Sequence, residues 1–200
     1  MDWPTRLLPI TVISGIALFI AKEAIEWLKR ARADKRKRSA LRTLLARECE
    51  LNHWAYKRIK DAIEDIKSNF ENQEQHEYSI ERRKSGEVIF QRAYRDVRWS
   101  SFPLPPVQAE QMGKLMLEVA IIDIDLFASL EAAYDSMINL NHVRQSLIDH
   151  IEDEDEGDEL AGFFETFPEY GLGELATIKE DLEALYRACT EKSLEGFRIR

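Results

Sequence analysis

The sequence predicts a mainly α-helical protein: an N-terminal transmembrane helix followed by a cytoplasmic antiparallel bundle of three or four helices. Three observations predict this class. Residues 7–21 are uncharged, apolar residues recur at steps of three and four over most of the chain, and residues 78–94 alternate as in a small β-hairpin. A composition of 44% hydrophobic and 32% charged residues is typical of a folded protein. We therefore divide the chain into an anchor at 1–28, a basic stem at 29–38 and a bundle domain at 39–200.

The first predicted element is the apolar run at residues 7–21, which contains fifteen uncharged residues. This run is shorter than the roughly 20 residues that cross a bilayer. Extension back to Trp3 gives about 28 Å of helix. Extension forward to Leu28 includes Lys22 and Glu26, which stand four residues apart and can partly neutralise each other. We predict an anchor whose lipid contacts are Trp3, Leu7, Leu8, Ile10, Val12, Ile13, Ile16, Leu18, Phe19, Ile20 and Trp27.

The order of charges predicts an orientation for this anchor. A signal peptide has positive charge before its apolar run, whereas here the basic residues follow it. The positive-inside rule then places the N-terminus outside and the bundle domain in the cytoplasm of a bacterial-type inner membrane or a plasma membrane. Two alternatives stay open: a helix buried in a core or an oligomer interface, and an amphipathic helix lying in the membrane plane.

A block of basic residues follows the apolar run. It consists of Lys29, Arg30, Arg32, Lys35, Arg36, Lys37 and Arg38, with Asp34 as the one acid among them. Basic residues next to an apolar helix gain attraction to anionic lipids, so we predict lipid contact here. Nucleic-acid binding is the less favoured interpretation, because the block lacks interleaved aromatic residues and a recognisable binding motif.

The bundle domain begins with a long amphipathic helix. Its apolar stripe runs from Leu41 to Phe70 at helical spacing, and no Gly or Pro interrupts it. Residues 78–94 alternate around a turn at 84–87, which predicts a short β-hairpin or an extended connection; a helix from Glu87 to Arg98 is the competing interpretation. The prolines at 103–106 end that structure and lead into the next helix.

Two further helical patterns complete the domain. One long helix is predicted from Val107 to about Ile151, with a stripe wide enough to lie at the centre of a bundle. An acidic connection at 149–159 and a short piece ending at Pro168 follow. A break at 171–173 precedes the final amphipathic helix.

The acidic connection is the second charged pole of the chain, since eight acids occur in it without a Lys or Arg. A calcium loop with its glycine at Gly157 would end at Phe163, which is no ligand. We predict instead a contact with a basic partner or with the basic stem of a neighbouring subunit. The residues concerned are Glu152, Asp153, Glu154, Asp155 and Glu156.

Catalytic and metal motifs are sparse. Glu50 and His53 form one Glu-x-x-His pair, but a di-iron bundle needs two such pairs and a second is absent. No phosphate-binding loop and no nucleophile motif occurs. Cys49 and Cys189 lie 140 positions apart, as expected of two free thiols. We predict no cofactor, no metal and no enzymatic activity.

The predicted function is protein–protein association by a single-pass membrane-anchored protein, acting as an adaptor, a scaffold or an oligomeric assembly. Its partner would be a second copy or another protein, beside the anionic lipids of the membrane. One alternative is a membrane-perturbing effector or pore-forming subunit of a toxin or phage-defence system. A second alternative is a small helical metal-binding or catalytic domain.

Overall fold

The computed structural model describes residues 10–72, 76–94, 98–152 and 157–194. The chain forms two compact units, Met1–Ala40 and Leu41–Arg200, which are called unit 1 and unit 2 below. The first helix, α1, spans Ile10–Glu71 and contributes residues to both units.

Unit 1 is a helix without a core. The described side chains of residues 12–40 are exposed, with Glu26 alone half-buried. Contacts within the unit are local: Arg30 Nη2 lies 3.6 Å from Glu26 Oε2, and Arg36 Nε donates to the Arg32 carbonyl at 3.4 Å. Helix formation in this unit depends on local propensity and such pairs, each of which contributes only about 0.2–0.5 kcal/mol.

The anchor prediction is corrected by this structure. Among the described residues, no helix is long and apolar enough to cross a membrane. The uncharged stretch from Ile10 ends at Ala21, and Lys22, Glu23 and Glu26 follow within five residues. Partial pairing between Lys22 and Glu26 leaves Glu23 uncompensated, which the predicted anchor did not take into account. The transmembrane helix, the membrane-spanning class and the single-pass location derived from them are therefore wrong.

Unit 2 contains the remaining elements. They are β1 (His76–Arg82), β2 (Val88–Tyr94), β3 (Arg98–Pro103), α2 (Glu110–Ile122), α3 (Ile124–Glu152) and α4 (Gly157–Thr190). The prediction of a mainly α-helical protein with a small β element is confirmed. The described chain thus has four helices and three strands, and the sheet lies between the first two helices in sequence.

The three strands form one antiparallel sheet in the order β1-β2-β3. Gly86 occupies the turn between β1 and β2 with a φ of 84°, a conformation that glycine adopts without steric cost. The predicted hairpin is thus present, and β3 adds a third strand that was not predicted. Phe90 on β2 is fully buried, with its ring 5.1 Å from that of Phe102 and 5.5 Å from that of Tyr78.

Helix α4 packs on α1 in the antiparallel direction. Tyr186 Oη lies 3.5 Å from Glu50 Oε1 near one end of the α1–α4 contact, and Gly171 lies against Ile63 near the other. The hydrophobic core contains side chains of α1, α3 and α4, as the apolar stripes in the sequence predicted. Its fully buried members include Leu45, Ile59, Ile63, Leu130, Leu140, Leu147 and Leu185.

The single long helix predicted over Val107 to Ile151 is wrong, because Asp123 divides it. Asp123 has φ −148° and ψ 77°, outside the helical region. Its carbonyl accepts hydrogen bonds from the N–H groups of Leu126 and Phe127 at 3.1 and 3.2 Å. Arg42 Nη2 donates to its carboxylate at 2.8 Å. The break is therefore fixed by a contact with α1, which periodicity in the sequence does not report.

The predicted breaks at Pro168 and at 171–173 are also wrong, since α4 continues through both. Pro168 is buried next to Phe167, so packing compensates for the backbone hydrogen bond that a proline removes. At Gly171 a β-carbon would lie 3.0 Å from Ile63 Cδ1, so close approach of α1 accounts for this glycine.

Candidate functional site

The most conspicuous surface of unit 1 is the apolar segment, residues 12–28. Leu18 is 73% exposed, Phe19 is 63% exposed and Trp27 is 68% exposed. The other large apolar side chains exposed in this segment are Val12, Ile16, Ile20, Ile25 and Leu28. Of the predicted anchor residues, Trp3, Leu7 and Leu8 lie outside the described residues, as do the side chains of Ile10 and Ile13.

Such a segment has a clear physical consequence. Contiguous apolar surface that is exposed to solvent marks an interaction site, whereas scattered apolar residues do not. Burial of one Leu, Ile or Phe side chain is worth about 1.5–3 kcal/mol. The apolar segment therefore carries a large potential for association with another apolar surface.

The basic segment, residues 29–38, continues the same helix. All seven of its basic side chains are exposed, and they share the segment with a single acid, Asp34. The charges of the two units are opposed: unit 1 has nine Lys/Arg against four Asp/Glu, a net +5, and unit 2 has 19 against 33, a net −14. Contact of the basic segment with anionic lipid stays a prediction, as does its low preference for nucleic acid.

Unit 2 has an exposed apolar patch of its own, formed by Leu117, Ile121 and Ile124. These side chains are 74%, 76% and 68% exposed, within eight consecutive residues. We call them the unit 2 patch. This patch was not predicted, because its residues belong to the same run of apolar periodicity as the core positions. Only the packing of α2 and α3 shows which side of that run faces outward.

The predicted acidic contact is described only at its first residue. Arg82 donates to Glu152 from Nε at 2.7 Å and from Nη2 at 2.6 Å. These hydrogen bonds lower the pKa of Glu152. Asp153, Glu154, Asp155 and Glu156 lie outside the described residues. Glu152 therefore pairs within its own chain, and the prediction of a partner contact at 152–156 stays a prediction.

Buried polar groups join α1 to the start of α2. The Asn52 side chain is fully buried; its Oδ1 accepts from the Gln108 N–H at 2.7 Å and its Nδ2 donates to the Gln108 carbonyl. Glu48 Oε1 accepts from the Gln111 N–H at 3.0 Å, in the first turn of α2. Burial raises the pKa of Glu48, partly opposed by these backbone hydrogen bonds. Both side chains therefore hold the start of α2 and the residues before it against α1.

A second buried polar contact holds the proline-rich connection. Arg144 of α3 donates from Nε to the Pro105 carbonyl and from Nη2 to the Leu104 carbonyl, both at 2.9 Å. Burial lowers the pKa of this guanidinium. Because Arg144 satisfies two backbone oxygens where the chain has left the sheet, its role is structural.

Glu50 and His53 of the Glu-x-x-His pair have different partners. Glu50 Oε2 accepts from Arg47 Nη1 at 3.0 Å, while His53 is buried and stacks on Tyr56 with a centroid distance of 6.2 Å. Among the described residues, no group of three or more His, Cys, Asp or Glu side chains could hold a metal ion. The absence of a cofactor and of catalysis stays a prediction.

The two cysteines are free thiols in the core of unit 2. Burial raises the pKa of Cys49 well above its ordinary value and that of Cys189 to about 11. A nucleophilic cysteine needs a lowered pKa, so neither thiol is activated in this environment.

A groove of about 600 Å³ runs between α1 and α4 in unit 2. Its lining is mixed in charge and largely paired: Lys60 Nζ lies 3.2 Å from Glu64 Oε1, and Arg187 Nη2 lies 3.1 Å from Glu183 Oε1. Such internal pairing leaves little uncompensated charge for a ligand.

No protein-family model, curated protein or solved structure matches the chain. The exposed apolar surfaces therefore give the most direct indication of function.

Proposed function

We propose that the protein is a self-associating scaffold in which the apolar segment is covered by a second copy of the chain. The observation that carries this proposal is the exposure of eight large apolar side chains over residues 12–28 of a helix that has no core in its own unit. The proposal needs no catalytic residue and no cofactor. The action of the protein would then be to hold several copies of unit 2 together.

Energetics support self-association. If half of each of these eight side chains were covered in both copies, the gain would be on the order of 15 kcal/mol. Association of two proteins costs roughly 4–15 kcal/mol in lost translational and rotational freedom. The apolar segment is therefore large enough to sustain a dimer. A second copy is also the partner that is always present at the concentration of the chain itself.

Light scattering coupled to gel filtration tests this proposal on the full chain in buffer without detergent. The test variant is Leu18→Ser with Phe19→Ser and Ile25→Ser. The matched control is Leu44→Ser with Phe70→Ser and Ile138→Ser, which removes three apolar side chains that are about half-exposed on residues of unit 2. Both variants lose the same kind of surface, so a non-specific effect of hydrophobicity would appear in both.

The expected result is a wild-type molar mass that is a multiple of 23.3 kDa and rises with concentration. The variant of the apolar segment should return to 23.3 kDa, while the control should behave as the wild type. A wild-type chain that stays at 23.3 kDa over the accessible range of concentration would refute the proposal. Equal loss of association in both variants would also count against it.

A further inference from the structure

We infer that the surface receiving the apolar segment is the unit 2 patch of the second copy, so that each chain places its apolar segment on Leu117, Ile121 and Ile124 of the other. This inference rests on the proposed self-association and specifies its geometry. The alternative within the same function is pairing of one apolar segment with another. Three features favour the unit 2 patch: its helical shape, the acidic residues around it, and the order of apolar and charged residues along both surfaces.

The unit 2 patch has the form of a helix-docking surface. Leu117 and Ile121 stand four residues apart on α2 and therefore project from one face. Ile124 begins α3 directly after the break at Asp123, so the exposed surface continues into the next helix. An amphipathic helix commonly binds through apolar side chains at such spacings.

Charge complementarity favours this pairing. Residues 110–135, which contain the unit 2 patch, have six acids and one lysine, a net −5, which the pairing of Asp123 with Arg42 reduces to −4. The basic segment has seven basic residues and one acid, a net +6. Parallel pairing of two apolar segments would bring two basic segments side by side, and like charges in contact weaken an interface. Docking on unit 2 brings opposite charges together instead.

The order of apolar and charged residues along the two surfaces also agrees. Asp125, Glu131 and Asp135 are exposed on α3 beyond the unit 2 patch. The chain folds back at Asp123, since a β-carbon at Gly113 would lie 3.1 Å from the Tyr134 ring, so Leu117 and Ile121 lie beside the start of α3. Residues 20–28 span about 12 Å of helix. When Ile20 lies over Ile124 and Leu28 over Leu117, the basic segment that follows can therefore lie along Glu131 and Asp135. The same contact made twice, once by each chain, gives a closed two-fold dimer.

A complementation experiment tests the inference. The patch variant is Leu117→Ser with Ile121→Ser and Ile124→Ser, and the segment variant is Leu18→Ser with Phe19→Ser and Ile25→Ser. The residues replaced in the patch variant are exposed, so the fold of unit 2 should be retained, as judged by circular dichroism. Each variant keeps the surface that the other lacks. Their molar masses are measured separately and after mixing in equal amounts.

We expect each variant alone to associate at least about 100-fold more weakly than the wild type. The mixture should form a heterodimer through the one intact contact, whereas neither variant should dimerise alone. A second pair of changes, Glu131→Lys with Asp135→Lys, leaves the apolar contact unchanged. These two changes should make association weaker than that of the wild type, and the difference should be largest at low salt.

The outcomes separate the inference from the function on which it rests. If the patch variant associates as the wild type does, the unit 2 patch is not the receiving surface, although self-association through the apolar segment stands. A mixture that stays monomeric would overturn the inference in the same way. Absence of association in the wild type would overturn both. Unaffected binding by the Glu131 and Asp135 variant would contradict the role assigned to charge.

Discussion

Replacement of Asn52 by alanine is the sharpest test of how α1 holds the rest of unit 2. The Asn52 amide is fully buried and makes two hydrogen bonds to one residue, accepting from the Gln108 N–H and donating to the Gln108 carbonyl. Alanine removes both contacts and leaves a backbone donor and a backbone acceptor without this partner. Neither group belongs to a helix or strand, so no neighbouring element replaces the lost hydrogen bonds.

The magnitude follows from these contacts. Each lost hydrogen bond costs about 0.5–1.5 kcal/mol, and two of them give a loss of about 1–3 kcal/mol in the free energy of unfolding. For a unit of this size, each kcal/mol lowers Tm by roughly 2–4 °C. The predicted decrease in Tm for Asn52→Ala is therefore on the order of 5 °C.

Urea unfolding followed by far-UV circular dichroism measures this effect. The matched control is Asn72→Ala, since the Asn72 side chain is exposed and makes a single 3.4 Å contact with Ser68. The control should change the free energy of unfolding by less than about 0.5 kcal/mol. If Asn52→Ala were as stable as this control, the hydrogen bonds between Asn52 and Gln108 would not contribute to the stability of unit 2.

Three further predictions concern single positions in unit 2. Because burial raises the pKa of Glu48, ionisation of this carboxyl destabilises the fold as pH rises through that pKa. Glu48→Gln should therefore have a higher free energy of unfolding than the wild type at pH 8 and the same free energy near pH 4. If urea unfolding gave the same difference between variant and wild type at both pH values, this prediction would be refuted. Arg144→Ala should lower the free energy of unfolding by about 2–4 kcal/mol, because two carbonyls lose their donor; a thermal melt unchanged from the wild type would refute that role. Gly173→Ala should stabilise α4 by about 0.5–1 kcal/mol, because the added β-carbon meets no atom within 4 Å. Gly171→Val should destabilise α4, because its side chain would collide with Ile63. Equal unfolding midpoints for these two variants would show that α1 does not approach α4 closely.

Periodicity in the sequence predicted most of the helical content of unit 2. The stripe from Leu41 to Ile66 is buried as expected, because an amphipathic helix packs its apolar face on the core, whereas Phe70 at the end of the stripe is 48% exposed. The break at Asp123 was missed, since it depends on Arg42 far away in sequence. The continuation of α4 through Pro168 was missed for the same reason: tertiary packing overrode a local preference.

The candidate site was predictable only in part. The apolar and basic segments are evident from composition alone, but composition did not decide what covers them. Lipid, a protein core and a partner all favour such residues, and the charges at Lys22, Glu23 and Glu26 distinguish a membrane span from the helix observed. The unit 2 patch could not be predicted, because Leu117 and the buried Val119 are alike in sequence pattern and differ only in what packs on them.

Sedimentation equilibrium of the full-length wild-type chain, at several concentrations and without detergent, tests self-association most directly. If a second copy covers residues 12–28, the weight-average molar mass should rise from 23.3 kDa toward an integral multiple of it as concentration increases. A single species of 23.3 kDa at every concentration would show that no second copy covers these residues.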